Sequence, residues 1–156
     1  MESHEIILRF GDVIITKDGT IGRVARIDDL PGDATINGTM MLLRPLRRLD
    51  FRYLYHILNG RDFQKLIDDK VSGSSIPHLF QRDMVELKVE LPSRDHQSKI
   101  AEILDTLDTA IRGTEAVVAK LKAIKQGLLH DLLTRGIDAN GDLRPLQSEA
   151  PHLYKQ

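Results

Sequence analysis

The 156-residue chain contains no cysteine and no tryptophan, and phenylalanine and tyrosine together make up only 4% of it. Without cysteine there is no disulfide framework, no thiolate metal site and no cysteine nucleophile. Neither charge is in excess: 22 Lys+Arg stand against 23 Asp+Glu, for a net charge of −1. That balance excludes a general basic coat for nucleic acid but leaves room for a local basic face. Long hydrophobic runs are also missing. Stretches such as Val13–Thr16 and Met40–Leu43 fall far short of the ~20 residues that span a bilayer. The start, Met1-Glu2-Ser3-His4-Glu5, lacks the basic n-region of a secretory signal. These absences predict a cytoplasmic protein with no membrane anchor. Two further absences bear on chemistry. There is no Gly-Lys-Ser/Thr phosphate loop, and Gly19-Thr20-Ile21-Gly22 lacks the third glycine and following helix of a dinucleotide fingerprint. The histidines at 4, 56, 78, 96, 130 and 152 have no spacing that suggests zinc.

What is present divides near Pro92. Before it, short apolar runs are separated by turn residues, which predicts an α+β fold: a small mixed sheet of four or five strands with two or three short helices. Val13-Ile14-Ile15-Thr16 reads as a strand, and Asp18-Gly19 as a type I′ hairpin turn. In the return strand, Thr20–Ile27, residues Ile21, Arg23, Ala25 and Ile27 share one face. Met40–Leu43 reads as a buried strand that stops before Pro45. Phe51, Leu54, Tyr55 and Leu58 follow helical spacing with Asp50 as N-cap, and Asn59-Gly60 separates them from a second helix carrying Phe63, Leu66 and Ile67. The Ser72-Gly73-Ser74-Ser75 run is a loop. Leu87, Val89 and Leu91, alternating with Lys88 and Glu90, predict a half-buried strand.

After Pro92 the period changes. Ser93 is an N-cap candidate with Asp95 in the first turn. Steps of four and three from Ile100 pass through Leu104, Leu107, Ile111, Thr114, Val118, Leu121, Lys125, Leu128 and Leu132. Eight of these ten positions are apolar. The pattern predicts one helix from Ser93 to Arg135, about 60 Å long at 1.5 Å per residue, whose seam requires a partner. Residues 93–115 carry three basic against five acidic side chains, and residues 116–135 carry four basic against one acidic. A second copy laid antiparallel would set each acidic half beside a basic one. The competing reading is a long core helix of a single globule. Residues 137–156 read as a loosely ordered polar tail.

Arg44, Arg47, Arg48 and Arg52 against Asp50, with Lys17, Arg23 and Arg26 in the sheet, form a candidate basic face. Arginine forks hold phosphates bidentately and read guanine edges. The competing reading is a solvated loop with scattered ion pairs. The hydroxyl-rich loop ending in Ile76-Pro77-His78 offers further donors for DNA, or is an ordinary connection. Glu86-x-Lys88 on a strand, with Asp83 or Asp69 as a second carboxylate, is the one pattern that suggests a metal-dependent nuclease.

Several segments taken together resemble a known family. They are Gly11-Asp12-Val13-Ile14-Ile15-Thr16 with Gly19-Thr20-Ile21-Gly22, Phe51-Arg52-Tyr53-Leu54-Tyr55, Gly73-Ser74-Ser75-Ile76-Pro77-His78-Leu79, and Leu91-Pro92 through Gln97 into the Ile100, Leu104, Leu107, Asp108 stripe. In this order they resemble the later half of a target recognition domain and the start of the coiled-coil region of the specificity (S) subunit of type I restriction–modification systems. The family carries two such domains and two such helices. Here the resemblance covers one helix and one domain without its opening section, so the chain reads as a half subunit: a partial recognition domain over 1–92, a helix over 93–136, and a tail. The resemblance implies a non-catalytic module with double-stranded DNA, methyltransferase and restriction subunits as partners. S-adenosylmethionine, ATP and magnesium would belong to those subunits. It further implies base contacts from Lys17, Asp18, Thr20, Arg23, Ser72, Ser74, Ser75 and His78, and phosphate positioning by Arg44, Arg47 and Arg48. The interface of an antiparallel dimer would be Ile100, Leu104, Leu107, Ile111, Val118, Leu121, Leu128 and Leu132. Two alternatives remain: a helical dimerisation protein, or a relic without DNA binding, and the nuclease through Glu86 and Lys88.

Overall fold

The structure, a computed structural model, describes residues 7–71 and 78–154. These fall into two compact units, Met1–Thr106 and Leu107–Gln156.

The first unit is built on an antiparallel sheet of β1 (Val13–Thr16), β2 (Val24–Arg26) and β3 (Met40–Leu43), with β1 in the centre. The β-branched run of β1 alternates as a one-face-buried strand should, with Val13 and Ile15 fully buried. Helices α1 (Phe51–Leu58) and α2 (Arg61–Val71) follow, and Leu54, Leu58, Phe63 and Ile67 join the sheet residues and Leu79 in one core. Burying a side chain the size of Phe63 contributes roughly 1.5–3 kcal/mol. Asp50 caps α1 as its position predicts, accepting from the N–H groups of Arg52 and Tyr53 at 2.9 and 3.3 Å. Helix α1 ends at Asn59, and α2 begins after Gly60.

Three expectations are corrected. The described residues hold three named strands, not four or five. The segment Leu87–Leu91 is not a strand. Among the described residues no neighbouring strand pairs with it, and the Glu90 carbonyl is instead met by the Tyr53 hydroxyl at 3.2 Å. In the return strand the face is also reversed. Val24 and Arg26 are half-buried while Arg23 and Ala25 are exposed, because Val24 pairs with Ile15 and Arg26 with Val13.

The register of β1 with β3 explains a buried charge. Val13 pairs with Leu43, so the next antiparallel position sets Arg44 opposite Asp12. The Asp12 side chain is only 1% exposed and receives Arg44 Nε and a terminal guanidinium nitrogen, both at 2.7 Å, while Arg9 N–H donates at 2.8 Å.

The long helix predicted from Ser93 is α4, Arg94–Thr134. Its first three turns belong to the first unit because they are packed there. Gln97 and Ala101 are buried, and Asp105 accepts from Arg26 at 2.5 Å and meets His56 Nε2 at 2.9 Å. Burial pushes the Asp105 carboxyl up, but the hydrogen bonds from Arg26 and His56 outweigh it and hold the group below its ordinary value. In the second unit, residues 137–154, expected to be loosely ordered, turn back on themselves. Ile137 bridges to Leu143, Arg135 Nε donates to the Arg144 carbonyl at 2.6 Å, and Pro151–Tyr154 forms a 3-10 turn.

Candidate nucleic-acid interface

The loop between β1 and β2 is wider than a two-residue hairpin. Among the described residues none other than glycine has positive φ, so Asp18 does not adopt the left-handed conformation that a type I′ turn requires at both central positions. The loop closes instead around Thr16. Its N–H donates to the Arg23 carbonyl and its carbonyl accepts from Gly22, each at 2.9 Å, while its hydroxyl accepts from Arg23 N–H at 3.0 Å and donates to the Thr20 carbonyl. Gly22 sits at φ +83°, where a Cβ would stand 3.2 Å from Ile67 Cγ1. Thr20 and Arg23 are exposed, Lys17 and Asp18 half-buried.

His78, from the second group of candidate residues, lies beside the hairpin loop. His78 Nδ1 pairs with the Asp18 carboxylate. Next to it, Leu79 N–H donates to the Lys17 carbonyl at 3.0 Å, and Lys17 N–H donates to the Thr39 carbonyl at 2.9 Å. The hairpin loop, the start of β3 and the segment entering α3 (Gln81–Met84) are therefore tied together by backbone hydrogen bonds. Ser72, Ser74 and Ser75 lie outside the described residues.

The basic face is smaller than the sequence suggests. Arg26 is paired with Asp28 and Asp105, and Arg52 lies 3.8 Å from Asp50. Arg44, expected among the phosphate-positioning residues, is tied to Asp12. Its hydrogen bonds hold that carboxyl below the ordinary carboxylate value, the effect of burial being smaller and opposite. Arg47 and Arg48 remain exposed, flanking Leu46, which is 82% exposed.

The strand on which the nuclease pattern was placed is absent, although Asp69, Glu86 and Lys88 line one cavity. Glu86 and Lys88 are not on a strand, and Glu86 is paired with Lys70 at 2.5 Å. Asp83 is buried, its carboxylate accepting from Phe80 N–H at 2.8 Å. Among the described residues no group of three or more His, Asp or Glu is placed to hold a metal ion.

A cavity of about 510 Å³ lies against this surface, lined among others by Lys17, Met40, Leu42, His78, Gln81 and Arg82. Reading the sequence did not single out Gln81 and Arg82. The available signal was an Arg and a Gln beside the aromatic Phe80, directly after the loop already suspected.

In the second unit the helical seam is open. Leu107, Ile111, Val118, Leu121, Leu128 and Leu132 are all exposed, from 44% at Val118 to 60% at Leu121. Ile100 in the first unit is 38% exposed and Leu104 half-buried. Contiguous exposed apolar rows of this size are uncommon on monomeric domains.

Residues 2–123 match the model of the type I restriction modification DNA specificity domain. The chain belongs to this family. Among similar specificity-domain proteins, the type I restriction enzyme MjaVIII specificity subunit of Methanocaldococcus jannaschii is 26% identical over 137 residues, covering 86% of this chain and 31% of the relative. The EcoDI specificity subunit of Escherichia coli is 34% identical over 91 residues, covering 58% of this chain and 20% of the relative. The chain thus spans about a third or less of the length of these curated relatives. Its fold is similar to that of the HsdS subunit from Thermoanaerobacter tengcongensis, with TM-score 0.59 and 18% identity over 89% of this chain and 36% of that one. A chain from a structural study of complex assembly and conformational transition of the type I R-M system gives TM-score 0.66 at 20% identity, over 81% of this chain and 30% of that one. The α+β specificity-domain fold expected from the sequence is therefore present, and no helix among the described residues is long and apolar enough to cross a membrane.

Proposed function

We propose that this chain is a DNA-recognition and scaffold module of a type I restriction–modification specificity subunit, itself without catalytic chemistry. The observation that carries the reading is the open apolar seam of α4 in a chain of this family. Such a seam calls for another helix. The first unit would contact double-stranded DNA through Lys17, Asp18, Thr20, Arg23 and His78, with Ser72, Ser74 and Ser75, while Arg47 and Arg48 would position phosphates. The seam, Ile100 through Leu132, would pack against a second copy in antiparallel register, where acidic and basic halves face each other. A two-fold dimer of this kind suits a symmetric DNA site. Methyltransferase subunits, and through them a restriction subunit, would complete the assembly in the cytoplasm. S-adenosylmethionine, ATP and magnesium would be theirs to bind.

A salt series tests the DNA part. Charge-driven binding falls steeply between ~50 and ~200 mM salt, so the chain should retard duplex DNA at the lower concentration and release it at the higher. One observation favours a second reading, in which the first unit binds protein. Leu46 and Leu91 are exposed beside Arg47 and Arg48 around an apolar recess of about 650 Å³. Absence of retardation at any salt concentration would select that reading.

A further inference from the structure

We infer that Gln81 and Arg82, presented by α3, are specificity-determining residues that read base edges in the major groove; this rests on the DNA-recognition reading above. Four observations converge on them. Their backbone is held rigidly: Leu79 on one side and Asp83 on the other are buried, Asp83 accepts from Phe80 N–H, and Leu79 N–H is bonded to Lys17. Rigid support is what base readout needs, because a bidentate contact tolerates little displacement.

Both side chains are exposed and, among the described residues, neither has a hydrogen-bond or ion-pair partner. The Arg82 guanidinium rests over the Phe80 ring, 4.4 Å from its centroid, and the His78 ring lies 4.3 Å from the same ring. The stack orients the fork without occupying its donors. Arg26 and Arg44, by contrast, have their forks occupied by carboxylates.

The residue types match the chemistry of the major groove. An arginine fork pairs with O6 and N7 of guanine, and a glutamine amide pairs with N6 and N7 of adenine. The cavity they border has apolar walls from Met40 and Leu42, able to take a thymine methyl, and Lys17 on its rim, able to meet a phosphate. By contrast, among the described residues neither Arg47 nor Arg48 stacks its guanidinium on a ring.

The test is selection from a randomised duplex pool by the full chain, with sequencing of the bound fraction for the parent, Gln81→Ala, Arg82→Ala and Arg82→Lys. All three substitutions are at exposed positions and should leave the melting temperature unchanged. The parent should select a consensus. Arg82→Ala and Arg82→Lys should each relax preference for guanine at one position roughly tenfold or more, with Arg82→Lys keeping the parent's affinity for non-specific DNA. Gln81→Ala should relax an adjacent adenine. If the variants recover the parent's consensus, or lose affinity for all sequences alike, the assignment of these two residues is overturned while DNA recognition stands. If the parent itself selects no sequence, DNA recognition fails and this inference falls with it.

Discussion

The Gln97 carboxamide accepts a hydrogen bond from the backbone N–H of Asp50 at 2.8 Å, joining the second turn of α4 to the residue that caps α1. The other half of the amide donates to the carbonyls of Arg48, at 3.0 Å, and Pro92, at 2.8 Å. Gln97 is 1% exposed, so its three hydrogen bonds are made out of water. Ser98 adds a donor to the Asp50 carboxylate at 3.2 Å. A single buried amide thus fixes the start of the long helix against the loop between β3 and α1.

Replacing Gln97 by leucine keeps the volume but strands one N–H and two carbonyls. The expected cost is roughly 2–4 kcal/mol, read as a lower denaturant midpoint in chemical unfolding. Gln97→Glu should be at least as damaging at pH 7, because it removes both donors and brings a second carboxylate toward Asp50.

Acid should weaken the first unit in a defined window. Asp12 and Asp105 both titrate below their ordinary value of 3.8. A carboxylate with a depressed folded-state value contributes stability that is full above its unfolded-state value and is lost as pH falls through the folded one. Thermal unfolding from pH 6 to pH 2 should therefore show stability dropping below about pH 4. Asp12→Asn should be less stable than the parent at pH 6 and show a shallower acid limb, the two converging at low pH.

The proposed phosphate positioning by Arg47 and Arg48 would have a signature distinct from base reading. Arg47→Gln with Arg48→Gln should weaken binding to all duplexes alike and reduce the log–log salt slope by about 2, close to 0.9 per phosphate contact. His78→Ala should change which sequences are preferred. Titrations on specific and random duplexes at several salt concentrations check both.

The seam should govern association and leave the first unit intact. Leu121→Gln with Leu128→Gln removes apolar surface that is exposed in the single chain, so the unfolding of the first unit should be unchanged. Size-exclusion chromatography should show self-association abolished. Raising salt should weaken the parent's association, since the proposed antiparallel arrangement would bring acidic and basic halves together.

The sequence made the long helix legible because a stripe sustained from Ile100 to Leu132 has one period and no proline. Asp50 and Asn59-Gly60 likewise carried their own cap and stop signals. The Leu87–Leu91 segment misled because alternation reports which residues face inward, not whether a neighbouring strand exists. The hairpin tip misled because Asp-Gly favours a tight turn only when nothing competes, and here the Thr16 hydroxyl bonds to two backbone groups across the loop. Arg44 looked available because its partner, Asp12, lies 32 residues away in the chain and faces it only through the β1–β3 register. Gln97 was visible within a motif, but its burial followed from contacts no local pattern encodes.

The mass of the chain in solution tests the central claim most directly. Sedimentation equilibrium at micromolar concentration should return twice the 17.6 kDa of the single chain, falling to the single-chain mass with Leu121→Gln and Leu128→Gln. A parent chain that sediments at 17.6 kDa throughout that range would contradict the account.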